Sequence, residues 1–130
     1  MRRQDIELSP ETDNEIDVNN LKDEFTNFSP MLNRYCEAKA QSQHDYGIAK
    51  AEYEEIRSEV YIELKTSKTD GKMTEKHLEA AVDIDSRVRK ALRRMLDADR
   101  DLETIKGYVE SMRAKKDMLI QLGADARKES

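Results

Sequence analysis

Apolar and aromatic side chains recur at heptad spacing along the first half of the chain. Steps of four and three residues from Phe28 to Val60 meet such a side chain at eight of ten positions, and only Lys39 and Ser42 interrupt the series. Heptad spacing keeps one face of a helix against a partner helix along its whole length. The pattern therefore predicts a long helix over residues 30–66.

A second heptad series occupies the last third of the chain. The same steps from Ala91 to Leu119 meet apolar residues at eight of nine positions, with Lys116 as the exception. This series predicts a helix over residues 86–122, equal in length to the first and about 55 Å long. Two matched heptad helices joined by a short connection predict a long antiparallel helical hairpin of coiled-coil type.

Capping and turn signals predict two further, shorter helices. Ser29 followed by Pro30 is typical of an N-cap and first helical position, so a short helix over 18–28 is expected to end before the hairpin begins. The Asp-Gly pair at 70–71 predicts a turn in the connection. A threonine followed by glutamate then predicts a short helix over 74–82.

Composition supports an all-α fold. The chain has 39% charged residues, four glycines, two prolines and no tryptophan. This composition is typical of charged helices and argues against a β-sandwich or a Rossmann-type domain. We predict a single helical domain over residues 17–123, between a flexible acidic tail at 1–16 and a flexible tail at 124–130.

Several apolar residues lie off both heptad series and need another cover. A two-helix hairpin buries one seam and leaves its outer faces in water. The short N-terminal helix can cover part of these residues, neighbouring subunits are the expected cover for the rest, and we therefore predict a homo-oligomer. The off-seam apolar residues are Ile48, Ile62, Leu64, Leu92, Leu96, Tyr108, Met118 and Ile120.

Acidic residues concentrate near the amino terminus. Residues 1–28 hold eight acidic and three basic side chains, which accounts for the whole net charge of −5 and leaves the rest neutral. The acidic total therefore does not exclude an anionic partner. Because the sequence has no long apolar run, no signal-peptide pattern and a single cysteine, Cys36, we expect a cytoplasmic protein without a membrane span.

Candidate catalytic residues are scarce. The two histidines, His44 and His77, lie far apart, and the sequence has no HExxH motif and no glycine-rich phosphate loop. We therefore expect a protein that is not an enzyme and needs no cofactor or metal. A helical phosphotransfer domain around His77 is the enzyme-related alternative, without a supporting motif.

Positive charge concentrates in residues 57–94, which carry ten basic and seven acidic side chains. In an antiparallel hairpin these cations gather at the closed end, near aromatic side chains. Cations for phosphates and an aromatic for base stacking are the minimal requirements for binding single-stranded nucleic acid. A solvated helix face with alternating charges is the competing interpretation. The candidate nucleic-acid-binding residues are Arg57, Lys65, Lys68, Lys72, Arg87, Arg89, Lys90, Arg93, Arg94 and Tyr61.

Residues 53–122 contain, in order, a predicted long helix ending EYEEIRSEVYIELK, the segment TEKHLEAAVDIDSRV and a predicted long helix closing as MRAKKDMLIQLGA. This arrangement resembles the phage recombination mediator proteins of the UvsY type. The resemblance implies a small helical protein that forms a hexameric or heptameric ring in the host cytoplasm. It also implies binding of single-stranded DNA and loading of the phage recombinase onto DNA coated by single-strand-binding protein.

The resemblance also implies a DNA-contacting motif on the first long helix. In that family a Lys-x-Arg followed by acidic and aromatic residues contributes to DNA binding. Arg57 falls at the arginine, followed by Glu59 and Tyr61, whereas Glu55 occupies the lysine position.

Two further hypotheses concern the whole chain and its acidic tail. The competing function is a coiled-coil scaffold, adaptor or assembly chaperone without a nucleic-acid role, which the heptads and the neutral body support equally. The acidic residues 1–28 could also fold over the basic end and compete with DNA, or bind a basic partner.

Overall fold

Four helices make up the described part of the chain. The computed structural model describes residues 7–67 and 74–129. They form helices α1 (Pro10–Asp13), α2 (Leu21–Thr66), α3 (Glu75–Ile84) and α4 (Ser86–Glu129). No strand occurs in these two ranges, and the long helices α2 and α4 pack against each other. The predicted all-α helical hairpin is therefore confirmed.

The chain divides into two compact units, and each takes part of α2 and part of α4. Unit 1 comprises residues 1–42 and 102–130, and unit 2 comprises residues 43–101. The core of unit 1 is a cluster of Tyr35, Val109 and Met112, each at most 1% exposed. The Tyr35 ring meets the Tyr108 ring edge to face, with centroids 6.4 Å apart. The domain boundaries predicted from sequence stay a prediction.

The core of unit 2 joins three helices. Val60 of α2, Val82 of α3 and Val88 of α4 form its buried cluster. Leu78, one turn before Val82, is also buried, so α3 lies with its apolar face on the hairpin. Thr74 begins α3 by accepting a hydrogen bond from the backbone N–H of His77, at 3.2 Å. The predicted start of this helix is therefore confirmed.

The two predicted seams differ in how well they describe the core. All ten positions of the first seam, Lys39 and Ser42 included, are buried or half-buried. The second seam is wrong at one position: Lys116 is exposed and the neighbouring Lys115 is buried instead, whereas Leu119, the next predicted position, is buried. Lys115 is buried at this point because its ammonium group finds polar partners inside unit 1.

Helix α2 corrects the predicted boundary at Pro30. The helix runs from Leu21 to Thr66 with Pro30 inside it, so Ser29 does not begin a new helix. A proline lacks the N–H that would bond the carbonyl four residues earlier, and its ring crowds that carbonyl. Pro30 is exposed and Phe28 is buried. Burial of the apolar face on both sides of the proline therefore outweighs the local capping signal.

Replacement of Pro30 with alanine tests this continuous helix. A proline in a helix interior costs about 3 kcal/mol relative to alanine. Proline also restricts the conformations of the unfolded chain. Its removal therefore stabilises the unfolded state by about 1 kcal/mol and offsets that part of the gain. We expect Pro30→Ala to raise the free energy of unfolding in urea by about 2 kcal/mol. Ser29→Ala should leave it unchanged, whereas an N-cap serine would lose about 1 kcal/mol. A destabilised Ser29→Ala together with an unaffected Pro30→Ala would indicate two separate helices.

Helices reach into the described parts of both segments that the sequence assigns to tails, whose flexibility stays a prediction. Residues 10–13 form α1, and Leu8 packs against the core cluster of unit 1. At the other end α4 continues to Glu129, past the predicted end at residue 122, so Gly123 lies inside the helix. A Cβ at Gly123 would lie 3.1 Å from Cζ of Phe25, so the glycine permits the close approach of this ring.

Most of the off-seam apolar residues remain exposed. Leu64, Leu92 and Tyr108 are half-buried, but the others are largely in contact with solvent. The exposed group comprises Ile48, Ile62, Leu96, Met118 and Ile120. This exposure is compatible with the homo-oligomer expected from the sequence, which stays a prediction. None of the helices in the described ranges has a stretch apolar enough to cross a bilayer, despite the length of α2 and α4.

Candidate nucleic-acid interface

Within the described residues, the candidate cations divide into those that form ion pairs and those that do not. Arg57, on α2, donates a hydrogen bond and forms an ion pair to the carboxylate of Asp83, on α3. This hydrogen bond raises the pKa of Arg57 above its ordinary value, with burial opposing the shift. The charge of Arg57 is therefore already neutralised by an acid of the same unit. The Arg57–Asp83 ion pair holds α3 on α2.

Arg87, in the first turn of α4, is more strongly paired. Its Nη1 donates to Oε2 of Glu63 at 2.8 Å, and its Nη2 donates to Oδ2 of Asp85 at 3.1 Å. The Asp85 Oδ1 also accepts from the Arg87 backbone N–H at 2.8 Å, as a helix cap does. These bonds raise the pKa of Arg87 and lower the pKa of both carboxyl groups. Arg87 therefore joins α2, α4 and the short break between α3 and α4.

Tyr61 is engaged in a similar way. Its hydroxyl donates to Oε1 of Glu75 at 2.7 Å, and this bond raises the pKa of the phenol. The ammonium nitrogen of Lys65 lies 5.6 Å from the centre of the Tyr61 ring, within cation–π range. The ring is also packed against the valine cluster of unit 2. Tyr61 thus offers little free face for a base to stack on.

A groove in unit 2 brings the other cations together. It has a volume of about 190 Å³ and lies between α2 and α4. Arg87, Lys90 and Arg94 are spaced three and four residues apart, so they lie along one face of α4. Ile56 and Val60 contribute apolar surface from α2. The residues that line the groove are Ile56, Glu59, Val60, Arg87, Lys90 and Arg94.

Lys90 and Arg94 are the available cations of this groove. Both are exposed, and within residues 7–67 and 74–129 neither forms an ion pair or hydrogen bond. Glu59 is the acid on the opposite wall and lowers the positive charge of the groove by one. Arg87 is bonded to two carboxylates, those of Glu63 and Asp85, so three cations and three acids balance at the groove. Lys90 and Arg94 can still contact a phosphate beside the apolar wall.

The other candidate residues lie elsewhere. Arg89 and Arg93 are exposed and four residues apart on α4, but they do not line the groove. Lys68 and Lys72 fall outside the described residues. Glu55, at the position where the resemblance implies a lysine, is exposed. The structure thus brings three of the ten candidates, Arg87, Lys90 and Arg94, into one groove.

Sequence reasoning missed the acids that determine which cations are free. Glu63 and Asp85 neutralise Arg87, and Asp83 neutralises Arg57. A partial signal was present, since Asp85 precedes Arg87 by two residues at a predicted helix start. The pairing of Arg57 with Asp83 joins residues 26 positions apart and has no local signature. For metals, the described ranges hold no cluster of three potential ligands.

Comparisons of this chain with protein-family models, with curated proteins and with solved structures gave no match in any of the three.

Proposed function

We propose that this protein binds single-stranded nucleic acid through the groove of unit 2, with Lys90 and Arg94 as the phosphate-binding cations. The observation that supports this proposal is the position of two unpaired cations, four residues apart on α4, beside the apolar wall of Ile56 and Val60. Cations neutralise phosphates and apolar surface accepts sugars and base faces, which favours a flexible single strand. No catalytic step is part of this proposal.

The resemblance to phage mediator proteins extends the proposal to a biological role. In that role the protein assembles into a ring, binds single-stranded DNA and loads the phage recombinase onto DNA coated by single-strand-binding protein. A ring repeats the groove once per subunit, so weak individual sites act together through multivalency. Arg87 then acts as a positioning residue, since it holds the start of α4 against α2 at the groove, while Arg57 holds α3 on α2.

Fluorescence anisotropy with labelled single-stranded and duplex oligonucleotides tests the binding step. We expect wild-type protein to prefer single strands and to lose affinity steeply as salt increases. Lys90→Ala/Arg94→Ala should weaken binding by roughly ten-fold and reduce the slope of log K against log salt by about 1.4. Two lost phosphate contacts on a single strand account for that change in slope.

Arg89→Ala/Arg93→Ala provides a matched control on the same helix. It removes the same charge and keeps the same four-residue spacing, but it leaves the groove unchanged. We expect it to weaken binding clearly less than the groove variant. Equal losses in the two variants would mean that general charge, and not the groove, attracts the strand.

A coiled-coil scaffold is the second candidate function. Two observations favour it: the ion pairs that neutralise Arg57 and Arg87, and the exposed apolar residues on α2 and α4. A scaffold would show no binding to either oligonucleotide at low salt, from protein that is folded by circular dichroism. That result would overturn the nucleic-acid proposal and favour the scaffold.

A further inference from the structure

The groove of unit 2 contains a carboxylate without a partner. Glu59 lines the groove from α2 and is exposed. In the part of the chain that the structure describes, its side chain makes no ion pair or hydrogen bond, although Lys90 and Arg94 lie on the opposite wall. By contrast Glu63, one turn further along α2, is bound to Arg87 at 2.8 Å. The fold therefore leaves Glu59 available to a ligand.

The ion pair between Glu63 and Arg87 shows which residues of the two antiparallel helices lie level with each other. A helical turn is about 3.6 residues. One turn back along α2 leads from Glu63 to Glu59, and one turn on along α4 leads from Arg87 to Lys90. Glu59 and Lys90 therefore lie at the same level on opposite walls. These two described residues form no ion pair, so the groove holds their charges apart.

A ligand of this groove has to match charges of both signs. Lys90 and Arg94 attract a phosphate, whereas the Glu59 carboxylate repels one and only accepts hydrogen bonds. The ligand therefore needs an anionic group and, a few ångströms away, a neutral donor. A nucleotide unit with an unpaired base has this combination. It carries a phosphate, donor groups on the edge of the base, and a flat face for the apolar wall of Ile56 and Val60.

The bases differ in the donors that their pairing edge presents. Cytosine and adenine carry an exocyclic amino group, and guanine carries an amino group next to a ring N–H. Thymine has a carbonyl oxygen where cytosine has its amino group, so a carboxylate at that place meets a second acceptor. In a duplex the pairing edge is already bonded to the complementary base. An acceptor in the groove therefore favours unpaired bases that carry an amino group.

We propose that Glu59 is a specificity-determining residue of the groove, which accepts hydrogen bonds from the amino groups of unpaired bases and disfavours thymine. This inference rests on the proposed binding of single-stranded nucleic acid and adds a base preference to it. Lys90 and Arg94 supply affinity through phosphates, which all sequences share, whereas Glu59 supplies the selectivity. The same carboxylate acts against a duplex, which offers it phosphates but few free donors.

Binding of oligo(dC) and oligo(dT) of equal length tests the base preference. Both strands are pyrimidine strands with the same backbone, and they differ mainly in the amino group and carbonyl oxygen on the pairing edge. In fluorescence anisotropy at mildly alkaline pH, where cytosine stays neutral, we expect wild-type protein to bind oligo(dC) about five-fold more tightly. Glu59→Gln should reduce this ratio to less than about two-fold, because an amide can accept from cytosine and also donate to thymine.

Glu55→Gln is the matched control for this experiment. It makes the same chemical change one turn earlier on α2, at an exposed residue that does not line the groove. Because both variants remove one negative charge, both should bind every strand slightly more tightly. Only Glu59→Gln should lose the preference for oligo(dC).

The possible outcomes separate the base preference from the proposed function. If folded wild-type protein bound neither strand at low salt, the proposed function would be wrong and the base preference with it. Salt-sensitive binding of both strands with equal affinity, or with oligo(dT) favoured, would overturn the base preference alone. Glu59 would then only reduce the positive charge of the groove. A preference for oligo(dC) that survives Glu59→Gln, or that Glu55→Gln abolishes equally, would also overturn it.

Discussion

We expect Lys115→Met to lower the free energy of unfolding by about 3 kcal/mol. Methionine keeps the length and the apolar stem of lysine, but it has no donor for the carbonyls of Asp13 and Glu15 or for the carboxylate of Glu24. Removal of one partner of a buried ion pair is strongly destabilising because the other charge loses its compensation. Urea denaturation followed by circular dichroism measures the loss.

The same variant should release residues 7–20 from unit 1. The Glu24 carboxyl has a lowered pKa, since hydrogen bonds from Lys115 and from the Asp17 backbone outweigh the effect of its burial. With Lys115 replaced, both the segment and the start of α2 lose a contact. Limited proteolysis should therefore cut within residues 14–20 earlier in the variant than in the wild type.

Lys116→Met is the matched control for this prediction. It makes the same chemical change one position further along α4, at an exposed residue. We expect a change in unfolding free energy within about 0.5 kcal/mol, as for most surface substitutions. If Lys116→Met were the more damaging of the two, the heptad stepping from sequence would describe the seam better than the structure does.

The contrast between these two lysines shows what sequence periodicity can predict. Heptad steps from Ala91 reach Met112 correctly, because burial of apolar side chains is the only requirement along that stretch. At the next step the choice between Lys115 and Lys116 depends on oxygen atoms from Asp13 and Glu15, about a hundred residues away. Such partners have no local signature, so the period alone selects the wrong lysine.

Pro30 shows a similar limit for local signals. Ser-Pro is a strong helix start by statistics, yet the apolar series continues through it from Phe28 to Leu32. The packing of these side chains in unit 1 decides the outcome in favour of one helix. The predicted hairpin was thus correct because it rests on many positions, whereas the helix boundaries rest on one or two residues each.

The candidate site could be predicted only in part, for an electrostatic reason. Sequence identifies the cations of residues 57–94 but not which acids neutralise them. In the sequence, nothing distinguishes Arg57 and Arg87 from Lys90 and Arg94. In the fold, Arg57 pairs with Asp83 of α3, and Arg87 pairs with Asp85, directly after α3. A free cation is a property of the folded arrangement, so a list of basic residues overstates the binding surface.

Met112→Ala should be the second strongly destabilising substitution. Met112 is fully buried between Tyr35 and Val109 at the centre of unit 1. Truncation of a buried methionine removes apolar contact and leaves a cavity, at a typical cost of 2 to 5 kcal/mol. We expect about 3 kcal/mol in urea denaturation, since the rigid rings of Tyr35 and Tyr108 in this cluster limit its collapse into the cavity.

Met118→Ala and Met112→Leu are the two controls for this prediction. Met118 lies six residues further along α4 and is 53% exposed, so its truncation should cost less than about 0.5 kcal/mol. Met112→Leu keeps most of the volume and should cost less than about 1.5 kcal/mol. If a cavity causes the loss, leucine at position 112 must keep most of the unfolding free energy that alanine removes. If leucine were as damaging as alanine, the shape of the methionine and not the filled volume would hold the Tyr35 cluster together.

Similar losses for Met112→Ala and Met118→Ala would instead mean that a partner subunit buries Met118, as a homo-oligomer with a covered outer face requires.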